Sequence, residues 1–268
     1  MQRKRLTQLF PCLIPLRTKQ RKFCYYLKMR FDGNAYAEKK GSQLPFTVFT
    51  CKSNMYNKNT GFDMVYQRNK AHNLRLGADA LEKLLIRPGE VFSYSRAVRY
   101  ADRKTPYKDG LVMRDGRLVA DYGGGMCQLS DLLFTLFLHS PLTILERHGH
   151  KKKDFPDPDP AAPKGTDATV FEGWLDLKVK NETQQTFQFT FDFDGEYIIG
   201  TLLSNMRDSM TYEVFNGRVE YLREEDGLYE TAEVFRGSFA GGECVMKERL
   251  YDNRCRIGYE INESEVIK

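Results

Sequence analysis

Apolar positions in this chain follow two different periods, and the change between them divides the sequence into two halves. In the first half, residues 74–85 and 129–137 place apolar side chains three and four positions apart, which is typical of amphipathic helices. From residue 170 onward apolar and polar positions alternate, most strictly over 187–193. We predict an α+β fold class: a mixed domain in which a strand, a glycine turn and a helix carry Cys127, followed by an antiparallel β-rich C-terminal half.

Turn signals add local detail to this prediction. Asp115-Gly116 lies between two apolar runs and predicts a two-residue hairpin over 111–120. The chain passes from this hairpin directly into the glycine turn before Cys127. The other short predicted elements are, in chain order, strands at 46–51 and 62–66, a helix at 72–85, a strand at 91–94, and strands at 212–215 and 219–222 that flank Asn216-Gly217.

Charge separates the first forty residues from the rest. The chain has 268 residues and a net charge of +5, but without its first forty residues it would be slightly acidic. We therefore divide the chain into a basic N-terminal arm (1–40), a central domain (41–205) and a β-rich C-terminal extension (206–268). Because the basic residues belong to an arm, not to a folded face, we expect no nucleic-acid partner.

The arm contains an apolar run at 9–16 and a segment at 21–31 in which aromatic and basic residues alternate. The apolar run is too short and too interrupted by proline to span a bilayer. Residues 1–31 can contact an anionic membrane surface peripherally. The alternative is a basic helix that packs on the domain, and the sequence leaves both open.

The six cysteines are scattered and include no C-x-x-C pair, so we expect neither a zinc knuckle nor a thioredoxin-like motif. Reduced thiols are the default, with pairing of Cys244 and Cys255 across a hairpin as a minor alternative. We expect no cofactor and no metal.

Cys127 follows three consecutive glycines, Gly123 to Gly125, and precedes an apolar segment with helical spacing. A cysteine at a helix N-terminus meets free amide groups and the positive end of the helix dipole, which favour the thiolate nucleophile. The alternative is that Cys127 is a small buried side chain on a mixed helix face.

A cysteine nucleophile needs a base and a group that orients the base. Of the four histidines, His139 lies at the far end of the helix, about 18 Å from Cys127 at 1.5 Å per residue. His148 and His150 follow a strand that returns from this helix, so either can reach Cys127. Asp167 can then orient an imidazole.

Other interpretations of these residues remain open. Arg147 can hold a substrate carboxylate, whereas His148 and His150 can be surface loop residues beside three lysines. Ser130 is a second candidate nucleophile, although a thiol needs less activation. Cys127, His148 and His150 can also bind zinc, but they lack the short fixed spacing of zinc sites.

Several motifs, in order, resemble the VanW family. The principal ones are residues 87–94 (RPGEVFSY), 123–130 (GGGMCQLS), 146–150 (ERHGH) and 165–169 (GTDAT). Further likeness lies at residues 29–32 (MRFD), 61–64 (GFDM), 99–102 (RYAD), 105–110 (TPYKDG) and 172–181 (EGWLDLKVKN). The likeness covers most of residues 1–205.

This resemblance implies a link to glycopeptide (vancomycin) resistance and to peptidoglycan metabolism. In some multidomain relatives, VanW domains act as L,D-transpeptidases whose nucleophile is the cysteine of the Gly-Gly-Gly-x-Cys-Gln motif, which here is Cys127. The resemblance thus implies acyl transfer on a peptidoglycan stem peptide or its precursor, with His150 or His148 as the base.

The same resemblance implies an oxyanion site formed by amides near residues 125–128. It therefore assigns substrate-binding roles to Gly124, Gly125, Gln128 and Ser130, beside Arg147.

We read no export or anchor segment, whereas such transpeptidases act outside the membrane. We therefore expect a cytoplasmic protein, with peripheral membrane contact as the open alternative. The second functional hypothesis is a non-catalytic accessory protein that binds a cell-wall precursor peptide or a resistance partner.

Overall fold

A computed structural model describes residues 10–114, 117–157, 159, 161–262, 264 and 266–267 of the chain. It confirms the α+β fold class: helices are concentrated before residue 139, and long antiparallel strands dominate the C-terminal half. The helices, after a 3₁₀ turn at Pro11–Leu13, are α1 (Ile14–Phe31), α2 (Met64–Leu81), α3 (Tyr94–Ala97) and α4 (Cys127–Leu138).

Within the residues that the structure describes, the strands form four sheets. In chain order they are β1 (Ala35–Tyr36), β2 (Phe46–Asn54), β3 (Leu85–Ile86), β4 (Glu90–Ser93), β5 (Asp109–Arg114), β6 (Arg117–Tyr122), β7 (Thr143–Glu146), β8 (Lys152–Lys153), β9 (Lys178–Lys180), β10 (Phe187–Phe193), β11 (Tyr197–Ser204), β12 (Met210–Glu224), β13 (Gly227–Ala240), β14 (Glu243–Ile257) and β15 (Val266–Ile267). The sheet orders are β1-β4-β9-β7, β2-β11-β10-β3, β15-β12-β13-β14-β8 and β5-β6.

Helix α4 lies in the centre of the hydrophobic core. Seven of its ten residues from Leu129 to Leu138 are apolar, and the helix is buried on most of its circumference. Leu132 and Leu136 pack over Gly200 of β11, where a larger residue would press on both leucines. The core therefore holds the first residue of α4, Cys127, at a defined position.

Strands β5 and β6 pair antiparallel, from Asp109 opposite Tyr122 to Arg114 opposite Arg117. This confirms the two strands of the predicted hairpin, while its turn, Asp115-Gly116, lies outside the described residues. The chain leaves β6, passes Gly123 to Gly125 and enters α4, so the predicted strand–glycine turn–helix is confirmed.

The predicted strand at 62–66 is wrong. Helix α2 begins at Met64, and the Asp63 side chain caps it by accepting a hydrogen bond of 2.7 Å from the Val65 amide. The apolar residues at 62–66 have a pattern that is typical of a strand, but the Asp63 cap starts a helix at Met64 instead.

Two predictions in the C-terminal half also need correction. Asn216-Gly217 does not separate two strands: β12 runs through it, with a bulge between Asn216 and Val219. Cys244 and Cys255 do not face each other across a hairpin, because both lie on β14, and the cysteines of the described residues are free thiols.

Helix α1 packs on the domain through Tyr26 and Met29, which are buried. Within the described residues, no helix has both the length and the apolar character that are needed to cross a bilayer. The three-part division at residues 40 and 205 stays a prediction.

Candidate active site

Cys127 is the first residue of α4, and its side chain faces the segment that follows Asp167. The Sγ atom lies 3.5 Å from Thr169 Oγ1 and 3.8 Å from the Val170 carbonyl oxygen. The thiol is partly exposed. A sulfur at a helix N-terminus, in contact with a second segment and open to solvent, has the setting of a reactive cysteine.

The glycine turn is shaped by close backbone contact. Gly123 and Gly125 have backbone φ values of +71° and +92°, which residues other than glycine rarely adopt. A Cβ atom on Gly124 would lie 2.2 Å from the carbonyl carbon of Gly110 in β5, and one on Gly125 would lie 2.1 Å from the Lys70 side chain. The fold therefore requires the three glycines, whatever they do for a substrate.

His150 connects Cys127 to Asp167. Its Nδ1 donates a hydrogen bond of 2.6 Å to Asp167 Oδ2, which also accepts one from the His150 amide at 2.6 Å. Cys127 lies close enough to His150 to raise the pKa of the imidazole, while the hydrogen bonds of the thiol itself are to Thr169 and the Val170 carbonyl. The structure thus brings together cysteine, histidine and aspartate in the order of a catalytic triad.

The electrostatics of this trio favour a charged imidazole. Burial disfavours the imidazolium, but hydrogen bonds with Asp167 and Cys127 and the nearby charge of Asp131 outweigh it and raise the pKa of His150 to about 11. Burial works against the Asp167 carboxylate as well, yet hydrogen bonding by His150 and the charge of Arg147 hold its pKa well below the usual range.

Arg147 lies behind Asp167. Its Nη2 donates to Asp167 Oδ1 at 2.8 Å and to the Gly165 carbonyl at 2.7 Å, and its Nε donates to the Asp167 carbonyl at 2.6 Å. Its Nη1 donates to Asn253 Oδ1 at 2.8 Å. Only 8% of the Arg147 side chain is exposed, and its hydrogen bonds position Asp167. Its predicted role with a substrate carboxylate stays a prediction.

His148 lies apart from the trio. Its Nε2 donates to Glu146 Oε1 at 3.0 Å, and Glu146 also pairs with Lys178 at 2.7 Å. Of the two candidate bases, the structure therefore brings only His150 to Cys127 and Asp167.

Gln128 and Ser130 face protein groups. Gln128 Nε2 donates to Ser53 Oγ at 2.7 Å and to the Asn54 carbonyl at 2.6 Å, at the end of β2. Ser130 is buried, and its hydroxyl contacts the carbonyls of Cys127 and Ala168. These side chains secure the start of α4 to its surroundings.

The first amides of α4 remain available to a ligand. The Gln128 amide bonds to the Gly125 carbonyl at 3.1 Å. Within the described part of the chain, the amides of Met126 and Cys127 have no hydrogen-bond partner. Free amides at a helix N-terminus favour negative charge, so this turn can stabilise an oxyanion beside the sulfur.

Two residues that sequence reasoning missed also lie at the site. Asp131, one helical turn after Cys127, accepts a hydrogen bond of 2.7 Å from the Ala168 amide. Burial, aided by the charge of Asp167, raises the pKa of Asp131 to about 7 although His150 opposes this shift. In the sequence, Asp131 could have been noticed as the one carboxylate of a largely apolar helix.

The second is Lys70 on α2, which passes along Gly125. Burial lowers the pKa of Lys70 to about 8. No sequence signal marked it, since its place depends on how α2 packs on the glycine turn.

The sequence left a zinc site open as an alternative. Among the described residues, no three or more His, Cys, Asp or Glu side chains converge in a way that holds a metal ion. In particular, His148 turns to Glu146, away from the zinc arrangement with Cys127 and His150 that the sequence left open.

Together, fold and site define an α+β protein with a cysteine–histidine–aspartate cluster at the N-terminus of a buried helix. The family described as VanW like protein matches residues 69–203, which include the whole cluster. The chain belongs to this family.

Two relatives extend the comparison. The Vancomycin B-type resistance protein VanW of Enterococcus faecalis (strain ATCC 700802 / V583) is 51% identical over 271 aligned residues, which cover 100% of this chain and 98% of that protein. The Uncharacterized protein YoaR of Bacillus subtilis (strain 168) is 31% identical over 138 residues, 52% of this chain and 44% of that protein. No solved structure matches the chain.

Proposed function

We propose that the protein is a cysteine acyltransferase that acts on peptidoglycan stem peptides or their precursors and serves vancomycin resistance. The single observation that carries this proposal is the hydrogen bond of 2.6 Å from His150 to Asp167, on an imidazole whose pKa the nearby Cys127 side chain also raises. An oriented imidazolium beside a sulfur favours the thiolate, and free amides lie next to it.

The proposed reaction has two halves. The Cys127 thiolate attacks the carbonyl carbon between an L and a D residue of the stem peptide. The carbon–nitrogen bond breaks, the leaving amine takes a proton from His150, and a thioester forms on Cys127. An acceptor amine or water then gives a proton to His150 and attacks the thioester, which releases the acyl group and restores the thiolate.

Family membership supports the choice of substrate. The relative with 51% identity over nearly its full length carries vancomycin resistance in its name, and vancomycin acts on cell-wall peptides. An L,D amide in a stem peptide gives Cys127 an electrophile of the class that thiolates attack.

The test is to capture the acyl-enzyme. The full-length protein is incubated with a stem tetrapeptide and a stem pentapeptide, with and without an acceptor amine, and both protein and products are analysed by mass spectrometry. We expect a mass gain on Cys127 that an acceptor discharges. Cys127→Ala should abolish it, while Cys244→Ala, which removes an exposed thiol on β14, should not change it.

Other outcomes would overturn the proposal. Stem-peptide binding that saturates without a covalent adduct, and with equal affinity in Cys127→Ala, would favour the non-catalytic accessory protein. An adduct that persists in Cys127→Ala would place the nucleophile elsewhere.

A further inference from the structure

Helix α1 carries apolar residues on two faces whose centres lie about 125° apart, and only one of them is covered. The covered face bears Tyr26 and Met29, which are buried against the domain. Tyr26 donates to Glu172 at 2.9 Å, Tyr25 donates to Asp176 at 2.6 Å, and Lys22 forms an ion pair with Glu172. The helix is therefore held firmly, with its other apolar face to solvent.

The uncovered face is an apolar stripe that we define as Leu16, Phe23, Leu27 and Phe31. At about 100° per residue these four lie within an arc of about 80°. Phe23 is 66% exposed and Phe31 is 79% exposed. Single exposed apolar residues need no explanation, but an aligned stripe of four on one helix marks an interaction surface.

Basic side chains border the apolar stripe on both sides. On the helical wheel, Lys19 and Arg30 lie along one side and Arg17 and Lys28 along the other. The helix contains no acidic residue, and within the described ranges these four cations have no carboxylate partner. Gln20 lies within the arc of the stripe and accepts a hydrogen bond of 2.8 Å from Arg17. An apolar stripe between two rows of cations without carboxylate partners complements an anionic bilayer surface.

A groove of about 320 Å³ lies along one of these basic rows. Arg17, Arg21 and Lys28 line it together with Trp174, the only tryptophan of the chain. Trp174 is exposed, and Arg21 lies 4.3 Å from its ring centre. A groove with cations and an exposed tryptophan suits the headgroup level of a membrane, where both residue types are favoured.

We propose that α1 docks the protein on an anionic membrane surface. The apolar stripe enters the boundary between headgroups and acyl chains, the flanking cations contact lipid phosphates, and Trp174 lies at the headgroup level. The charge of α1 favours a lipid surface over a second copy of the chain, because two such helices would bring six cations each together. This inference is independent of the reaction at Cys127.

The test is flotation of the full-length protein with two kinds of vesicle, phosphatidylcholine alone and phosphatidylcholine with about 30% phosphatidylglycerol. Blue shift of the Trp174 fluorescence serves as a second readout. We expect binding to the anionic vesicles at least about tenfold tighter than to the neutral ones, weakening about fivefold for each of Lys19, Lys28 and Arg30 that is replaced by Gln.

The apolar contribution is tested with Leu16→Ser, Phe23→Ser and Leu27→Ser combined. Its matched control is Val245→Ser with Met246→Ser, two exposed apolar residues on β14. The stripe variant should lose vesicle binding, and the control should keep it. All these side chains are exposed, so the melting temperature should change little.

Three results would overturn the proposal. They are equal binding to both vesicle types, binding that the stripe variant retains, and a dimer in solution that the stripe variant dissolves while vesicles remain unbound. The last result would assign the stripe to a second copy of the chain.

Discussion

His150 Nδ1 lies 2.6 Å from Asp167 Oδ2, and the same carboxylate oxygen accepts the His150 backbone amide. This double contact fixes both the ring and the backbone of His150. Because Nδ1 carries its proton toward Asp167, Nε2 is left for Cys127. Arg147 in turn holds the other oxygen of Asp167 at 2.8 Å, so the orientation of the imidazole depends on a buried ion pair.

We expect His150 to remain protonated far above the ordinary imidazole range. Its hydrogen bonds with Asp167 and Cys127 outweigh burial and raise its pKa to about 11, whereas burial lowers the pKa of His139. An NMR titration of the ring protons should show His150 unchanged between about pH 5 and pH 9 and His139 titrating below about 6.5. Resonances are assigned by single His→Gln variants.

Asp167→Asn tests the cause of this shift. The amide keeps the shape and one hydrogen bond but removes the charge, so the imidazolium should lose most of its stabilisation and titrate within the range of the NMR experiment. If His150 titrates near 6.5 already in the unchanged protein, the ion pair with Asp167 does not exist in solution.

Alkylation should distinguish the two candidate bases. We expect iodoacetamide to label Cys127 at pH 7 much faster than Cys51 or Cys255, because burial raises the pKa of each of these thiols to about 12. His150→Gln should slow labelling of Cys127 by about tenfold or more. The matched control, His148→Gln, removes the neighbouring imidazole that pairs with Glu146 and should leave the rate within about twofold. Equal labelling rates of Cys127 in both variants would show that the two histidines do not differ in their effect on the thiol.

Arg147→Lys should destabilise the fold and disorder the cluster. A lysine cannot replace the four hydrogen bonds that the guanidinium makes to Asp167, Gly165 and Asn253. Because the site is buried, we expect a loss of about 2–4 kcal/mol in the free energy of unfolding, measured with urea.

The control for this substitution is Arg249→Lys on β14. Arg249 also contacts two carboxylates, Glu233 and Asp252, but half of its side chain is exposed. It should change the free energy of unfolding far less than Arg147→Lys does, because solvent screens its ion pairs. A similar loss in both variants would show that burial of the Arg147 network contributes nothing.

Local sequence signals were sufficient for much of the fold and for the position of Cys127 at the start of a helix. The β5–β6 strands, the glycine turn and the helix that starts at Cys127 each follow from residues that are adjacent in sequence. The choice between His148 and His150 was not accessible, because it depends on how residues 146–150 lie against Asp167. The placement of residues 146–150 against Asp167 depends on the tertiary structure.

The residues of β14 that hold Asp167 and its neighbours in place could not be predicted from the sequence either. Asn253 and Tyr251 reach the site from β14: Asn253 accepts from Arg147, and Tyr251 donates to the Gly165 carbonyl at 3.1 Å. These contacts are separated by about a hundred residues, and no periodicity in either segment predicts them. The sequence also left open which face of α1 packs on the domain, because apolar residues occur on both faces.

Asp131 should make stability depend on pH. Burial raises its folded pKa to about 7, above the ordinary aspartate value. The folded state therefore favours the protonated carboxyl, and this contribution is present below about pH 4 and is lost as the pH rises through 7. Asp131→Asn, which imitates the neutral form, should become less destabilising from pH 5 to pH 8, by roughly 2–3 kcal/mol, since one pKa unit corresponds to about 1.4 kcal/mol.

Urea unfolding at both pH values measures this effect. Asp192→Asn, at an exposed position of β10, controls for the removal of one negative charge. If Asp131→Asn is instead more costly at pH 8 than at pH 5, the carboxylate acts mainly as a charge partner of His150.

Gly124 should be irreplaceable for a reason that is separate from catalysis. A Cβ atom there would lie 2.2 Å from a backbone carbon of Gly110, and neither strand β5 nor the turn can yield without moving the start of α4. We expect Gly124→Ala to lower the free energy of unfolding by about 2 kcal/mol or more and to slow alkylation of Cys127.

Gly61→Ala is a contrasting control, because Gly61 has a φ of +74° and open space around its Cα atom, whereas Gly124 has a close backbone neighbour and no positive φ. It isolates the cost of the backbone conformation, about 1 kcal/mol, and should not affect Cys127. Gly110→Ala should reproduce the loss seen in Gly124→Ala, since the same two backbones would collide from the other side. If only Gly124→Ala slows alkylation while both variants keep full stability, then Gly124 serves a ligand and not the packing of the turn on β5.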